Sequence, residues 1–369
     1  MAKDQAELDQ ALLDAAVNEN DSVEEAKKAV EDGANVSHLS GERRQTPLFA
    51  AANHRNWKIV EMLLQCDKTN IALQDRHGYT ILHYLCVRFE ERNIQEMVNI
   101  QPLIRLIINK KDPTILNITT KGTSLTALHF ICNGSIKNHT NDEKIDDGKN
   151  KILAQRNKIL IDTMQLLLDA GANVNAVNDM NETPFLMACR RGNVALVRCL
   201  VEKNHADFTV SSSTQPLREL APAGNALFYI KERIYYDRQY QENYDRCIEI
   251  KEIVDYLESL GINFHAVNQR GVRIHDYLDK ELHETSSSNM FDIEKIKNMF
   301  PKFFIEYYLE ETKLIKQVIL DVTTFIPEIA DIIIDFDSSF IRVASKKKPS
   351  TVVAAAQLDK LDLTKDNNK

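Results

Sequence analysis

The chain has 369 residues, 46 Lys or Arg against 54 Asp or Glu, and a formal net charge of −8. That length is enough to bury a sizeable core, as one long array or as two or three domains. The acidic balance argues against a nucleic-acid binder, and no apolar run approaches the roughly 18 residues of a membrane span. The acidic start, MAKDQAELDQALLDAA, lacks the apolar core of a signal peptide and places the protein in the cytoplasm. Cys66, Cys86, Cys132, Cys189, Cys199 and Cys247 form no C-x-x-C pair, so they read as free thiols.

In chain order, the spacing predicts a helix over 7–17, a turn over 18–21 and a helix over 22–31, ending in EDGANVS at 31–37. Related segments follow: TPLFAAA from Thr46, TILHYLC from Thr80, TALHFIC from Thr126 and TPFLMAC from Thr183. Each precedes an apolar helix, IVEMLL at 59–64, PLIRLIIN at 102–109, MQLLLDAG at 164–171 and LVRCLVEK at 196–203. Weaker copies begin at Asn225 (NALFYIK, with IVDYLESLG at 253–261) and at Arg273 (RIHDYL). Thr before Pro caps a helix whose first turn Pro pre-sets. Gly33, Gly171 and Gly261 stand where a left-handed residue ends a helix. Each helix pair has one apolar face it cannot bury alone, so neighbouring pairs must stack.

Three stretches depart from this pattern. Residues 133–155 are a polar insertion read as a surface loop, and 211–224 lengthen a connection with Ser and Pro. Residues 229–246 hold Tyr229, Tyr235, Tyr236, Tyr240 and Tyr244 interleaved with Arg233, Arg238 and Arg246. Tyr and Arg are the usual residues of protein interfaces, which makes Tyr236 and Tyr240 candidate contacts. The competing reading packs these rings beneath later helices. Beyond Phe300, residues 301–320 and 324–344 read as two more helices, the second with an apolar stripe through Phe325, Ile329, Ile332, Ile333 and Phe336. The tail from Lys346, rich in Lys and Asp, reads as disordered.

The repeated segments resemble the ankyrin repeat, a β-turn and two antiparallel helices over roughly 33 residues. The copies at 46–75 and 183–208 follow the family pattern almost position for position. The resemblance implies an all-α solenoid of about seven helix pairs, some degenerate, with a C-terminal helical extension. Its divisions are a capping repeat over 1–40, repeats over 41–300, a helical cap over 301–345 and a tail over 346–369. In this family the His of the tetrapeptide orders the turn through backbone hydrogen bonds. That role falls to His83 and His129, and to His275 in the fainter copy. The same resemblance implies a groove and hairpin tips that bind a partner protein. The positions concerned are Arg44, Gln45, Asn53 and His54; Arg76, His77, Tyr79, Val87 and Arg88; and Asp179, Met180, Glu182, Arg190 and Arg191. Core packing gives no reason for adjacent arginines at 190 and 191, which marks them as surface contacts.

No phosphate-binding loop, G-x-G-x-x-G, H-E-x-x-H or G-x-S-x-G occurs, so no catalytic residue, cofactor or metal site is expected. Cys86, Cys132 and Cys189 share one register, the small-residue slot that Ala52 fills in another copy, and read as core. Two functions stand at this point. The first is a monomeric, non-catalytic scaffold binding a partner protein. The degenerate repeats and polar tail also resemble ankyrin proteins that intracellular bacteria secrete into host cells, which would make the partner a eukaryotic protein. The second is an enzyme targeted by its repeats, with an unfamiliar active site in residues 225–345.

Overall fold

A computed structural model of the chain describes residues 4–18, 22–87, 89, 92–133, 147–212, 225–230 and 244–263. All lie in the first of two units, Met1–Phe300 and Pro301–Lys369. The expectations for 301–369, for Arg88 and for Tyr236 and Tyr240 therefore fall outside the described residues.

The described residues are helical, with one isolated β-bridge between Ser40 and Gln45 and no strand among them. Helices α1 (Gln5–Val17) and α2 (Val23–Glu31) form the first pair, and α3 (Pro47–Asn53) and α4 (Trp57–Gln65) the second. Next come α5 (Ile81–Cys86) with α6 (Ile94–Asn109), and a short turn of helix, α7 (Thr114–Asn117). Helix α8 (Ala127–Cys132) pairs with α9 (Asp147–Asp169). Helix α10 (Pro184–Arg191) pairs with α11 (Val194–Arg198), which a π-helical turn, Cys199–Lys203, extends. Residues 226–230 are helical, and the helix Tyr244–Ser259 follows.

The contacts sort these helices into two layers. The first helices meet in series, α1 on α3, α3 on α5, α5 on α8 and α8 on α10. The second helices form the other series, α2 on α4, α4 on α6, α6 on α9, α9 on α11 and α11 on the helix Tyr244–Ser259. The core lies between the layers, and the short helices α3, α5, α8 and α10 bury most of their residues in it. Pro47, Leu48, Phe49, Ala50, Ala51 and Ala52 are all buried, and the three alanines leave room for close neighbours. Cys86, Cys132 and Cys189 lie in this core as the shared register requires.

Caps form as the residue types dictate. The Thr46 hydroxyl accepts from the Phe49 amide at 3.2 Å and the Thr183 hydroxyl from the Leu186 amide at 3.3 Å. Gly33, Gly171 and Gly261 adopt φ values of 108°, 104° and 80°, the conformation that leaves other residues strained.

Two expectations need correction. The insertion at 133–155 is not loop throughout, since 147–155 already belong to α9. Polar composition there reports exposure, and KNKILAQRNK is made largely of residues that favour helix. Helix α6 starts at Ile94, ahead of the PLIRLIIN segment, with Pro102 inside it. Met97, Ile100, Ile104 and Ile107 are all buried, and that single apolar stripe outweighs the hydrogen bond lost at exposed Pro102.

Candidate partner-binding surface

Four hairpin tips precede α3, α5, α8 and α10, and their backbones share one device. The residue two positions before each capping Thr is left-handed: Arg44 at φ 52°, Gly78 at 82°, Ser124 at 52° and Asn181 at 56°. Acceptors inside the loops hold that shape. Asp75 Oδ1 accepts from the amides of His77 and Tyr79, each at 2.9 Å. Asn178 Oδ1 accepts from the amides of Met180 and Glu182, also at 2.9 Å. The tips are then tied to one another. The Arg76 amide donates to the Arg43 carbonyl at 3.1 Å, the Lys121 amide to the His77 carbonyl at 2.9 Å, and the Asp179 amide to the Thr123 carbonyl at 3.3 Å. Successive loops thus form one continuous, backbone-linked edge.

At this edge Arg44, Arg76 and His77 are exposed, as the sequence implied, and so are Arg43 and Lys121, which it did not single out. Counting back from the capping residues Thr46 and Thr126 would have found both. His54 is exposed at the end of α3. Gln45, Tyr79 and Met180 are half-buried. Gln45 donates to the Tyr84 hydroxyl at 3.0 Å, and that hydroxyl donates to Asp75 Oδ2 at 2.8 Å. Burial and the Asp75 hydrogen bond push the Tyr84 hydroxyl up to about 12. Phe49, Tyr84, Tyr79 and Phe130 follow one another as a row of rings, with centroids 5.2, 5.8 and 5.6 Å apart.

Glu182 is not a surface residue: it is 1% exposed. Its carboxylate accepts from Asn178 Nδ2 at 2.6 Å, from the Tyr229 hydroxyl at 3.0 Å and from Arg190 Nη1 at 3.3 Å. A buried charge needs such partners. Arg190 and Arg191 are half-buried rather than free. Arg190 Nη2 and Arg191 Nε both donate to Asn133 Oδ1, at 3.3 and 3.0 Å, and Arg190 lies 5.8 Å from the centre of the Tyr229 ring. The adjacent arginines thus have a structural reason, contrary to the expectation. Tyr229 is likewise no part of an exposed tyrosine surface, being fully buried; burial and the Glu182 charge raise the pKa of its hydroxyl.

The recurrent histidines and cysteines are occupied by the fold. His83 Nδ1 accepts from the Thr80 amide at 3.0 Å, which leaves Nε2–H to donate to the Leu125 carbonyl at 3.2 Å. His129 repeats the arrangement with the Thr126 amide at 3.1 Å and the Glu182 carbonyl at 3.1 Å. Each ring therefore stitches its own cap to the following tip. Burial lowers the His83 pKa to about 4 and that of His129 in the same direction. Burial also pushes the Cys86 thiol up to about 12 and raises Cys132 and Cys189, the reverse of what a nucleophile needs. Among the described residues no cluster of three His, Cys, Asp or Glu side chains is placed to hold a metal, and no helix is long and apolar enough to cross a membrane.

Comparisons with known proteins fall on these same segments. Residues 12–100 match a family model of ankyrin repeats in three copies, and residues 161–201 one of ankyrin repeats in many copies. The nuclear factor NF-kappa-B p105 subunit of Gallus gallus is 22% identical over 223 residues, which is 60% of this chain. The chain spans 19% of that relative's length.

Proposed function

We propose, from the premise that this chain is an ankyrin-repeat protein, that it is a non-catalytic scaffold gripping a partner protein with its hairpin tips and the adjoining ends of its first helices. The observation that carries this reading is the backbone-linked edge from which Arg43, Arg44, Arg76, His77 and Lys121 project beside half-buried Tyr79. The fold needs these loops for their backbone conformation and leaves those side chains to solvent. The groups best suited to chemistry, His83, His129 and the core cysteines, are spent on caps and packing, which supports a binding role over catalysis. The narrower reading, an effector delivered into a host cell, rests on the degenerate repeats and the Lys-, Asn- and Ile-rich composition.

Photo-reactive residues at His54 and Met180 test the reading against Glu61 and Arg105, which are exposed on α4 and α6. A partner cross-linked from the first pair of sites and not from the second is the expected result. Equal or reversed cross-linking would move the binding site to the other layer.

A further inference from the structure

We infer that the first three tips recognise an acidic polypeptide segment, supplied by another protein, that also carries an apolar side chain. This rests on the scaffold reading above and specifies the chemistry of its partner. Arg43 and Arg44 on the first tip, Arg76 on the second and Lys121 on the third are exposed. Among the described residues none of the four forms an ion pair. The linking bonds between Arg76 and Arg43 and between Lys121 and His77 hold them on one edge.

The carboxylate of the second tip is handled in the opposite way. Asp75 is 4% exposed and turned into its loop, accepting from two amides and from the Tyr84 hydroxyl. Asp179, on the fourth tip, is exposed and accepts from Ser124. Glu42 alone of the acidic side chains on the first two tips is exposed. The first three tips therefore expose four cations against the single carboxylate of Glu42, in a chain whose formal charge is −8. Guanidinium groups bind carboxylates in pairs of parallel hydrogen bonds, so a row of Asp and Glu is the complementary polymer. Tyr79 and Tyr84, half-buried beside the cations, offer ring surface that a solvated anion does not use. That surface assigns an apolar residue to the segment and separates it from a simple polyanion. Nucleic acid is the poorer match, because four cations on a net acidic chain neutralise few phosphates.

The test is a selection of displayed random 12-residue peptides, which reach at most about 40 Å when extended, against the full chain. Recovered peptides are then synthesised with a fluorophore and titrated by anisotropy. The expected peptides are rich in Asp and Glu around a Leu, Phe or Tyr. Their affinity should fall at least about tenfold in the variant Arg44→Glu/Arg76→Glu/Lys121→Glu and weaken with added salt, while the circular dichroism melt is unchanged. Should the triple variant not fold, Arg44→Glu alone is expected to give a smaller loss in the same direction. Peptides without acidic enrichment, peptides that bind the variant equally, or no recovered peptide would overturn the inference. Tighter binding of a 12-nucleotide single strand would point to nucleic acid instead. A synthetic peptide of residues 325–340 of this chain that binds the tips more tightly than the selected peptides would place the segment in cis and overturn its assignment to a partner. If the peptides fail while His54 and Met180 still cross-link a partner, the scaffold reading survives; if both fail, it falls as well.

Discussion

The Tyr229 hydroxyl donates to Glu182 Oε1 at 3.0 Å, joining two buried side chains that lie 47 residues apart in the chain. Asn178 and Arg190 hold the same carboxylate, and Arg190 and Arg191 reach Asn133 at the end of α8. One polar cluster thus spans three successive repeats and holds a buried carboxylate. Such a cluster is costly to break, because each partner removed leaves the others buried and unsatisfied.

Replacing Tyr229 with Phe removes one hydrogen bond and keeps the ring, and should cost about 1–3 kcal/mol of unfolding free energy. Glu182→Ala strands Asn178, Tyr229 and Arg190 together and should cost more, about 3–5 kcal/mol. Urea denaturation of the two single variants and the double variant measures the coupling. Additive losses would show that the 3.0 Å contact carries no energy of its own.

The arginine pair follows from the same cluster. Arg190→Ala removes the cation facing Glu182 and should destabilise by about 1–3 kcal/mol. Replacing exposed Arg44 or Arg76 should change stability by under about 0.5 kcal/mol. Thermal melts of the single variants distinguish them. An Arg190→Ala melt as undisturbed as that of Arg44→Ala would return residue 190 to the surface.

What was legible in the sequence was local. Thr46, Thr183, Gly33 and Gly171 act within a few residues of themselves, so their caps could be read directly. The shared slot of Cys86, Cys132 and Cys189 was legible because a buried position recurs with the repeat. Glu182 was misplaced because its burial is decided by Tyr229, which belongs to a degenerate copy with no spacing signal linking the two. The half-burial of Arg190 and Arg191 has the same origin, since Asn133 precedes them by a whole insertion. Pro102 misled in another way, a strong local signal overruled by the stripe of Met97, Ile100, Ile104 and Ile107. The linked edge was invisible because a backbone hydrogen bond such as Arg76 to Arg43 leaves no mark on side-chain pattern.

Acid should loosen the stack through its histidines. His83 must be neutral for Nδ1 to accept from the Thr80 amide, and its pKa falls from 6.5 unfolded to about 4 folded. The unfolded chain therefore binds the proton first, so the contribution is complete above pH 6.5 and is lost as pH falls through about 4. That difference corresponds to about 3 kcal/mol, and His129 acts in the same direction. His83→Gln keeps a side chain able to return to the capping residue's amide but cannot titrate. It should lower stability at pH 7 by about 1 kcal/mol while flattening the decline between pH 6.5 and 4. Denaturation curves of the variant that decline as steeply as the parent's would remove His83 from the account.

Two glycines of the tips separate backbone strain from close approach. Gly78 and Gly122 have nearly the same left-handed φ, 82° and 78°. A Cβ at Gly122 meets nothing within 4 Å, whereas at Gly78 it would lie 2.5 Å from the Lys121 backbone nitrogen. That nitrogen makes the 2.9 Å bond to the His77 carbonyl that joins the second tip to the third. Gly122→Ala should therefore cost only the strain of a left-handed residue, about 1–2 kcal/mol. Gly78→Ala carries the same strain and must also push the next tip away, adding the lost hydrogen bond for a total of roughly 2–4 kcal/mol. The functional consequence differs as well, because displacing Lys121 from Arg76 breaks the row of cations while leaving every one of them in place. Gly78→Ala should thus weaken partner binding at temperatures where the protein is still fully folded, and Gly122→Ala should not. Chemical denaturation and binding measured on both variants, with equal costs and equal affinities as the contrary result, decide whether the linked backbone is what aligns the edge.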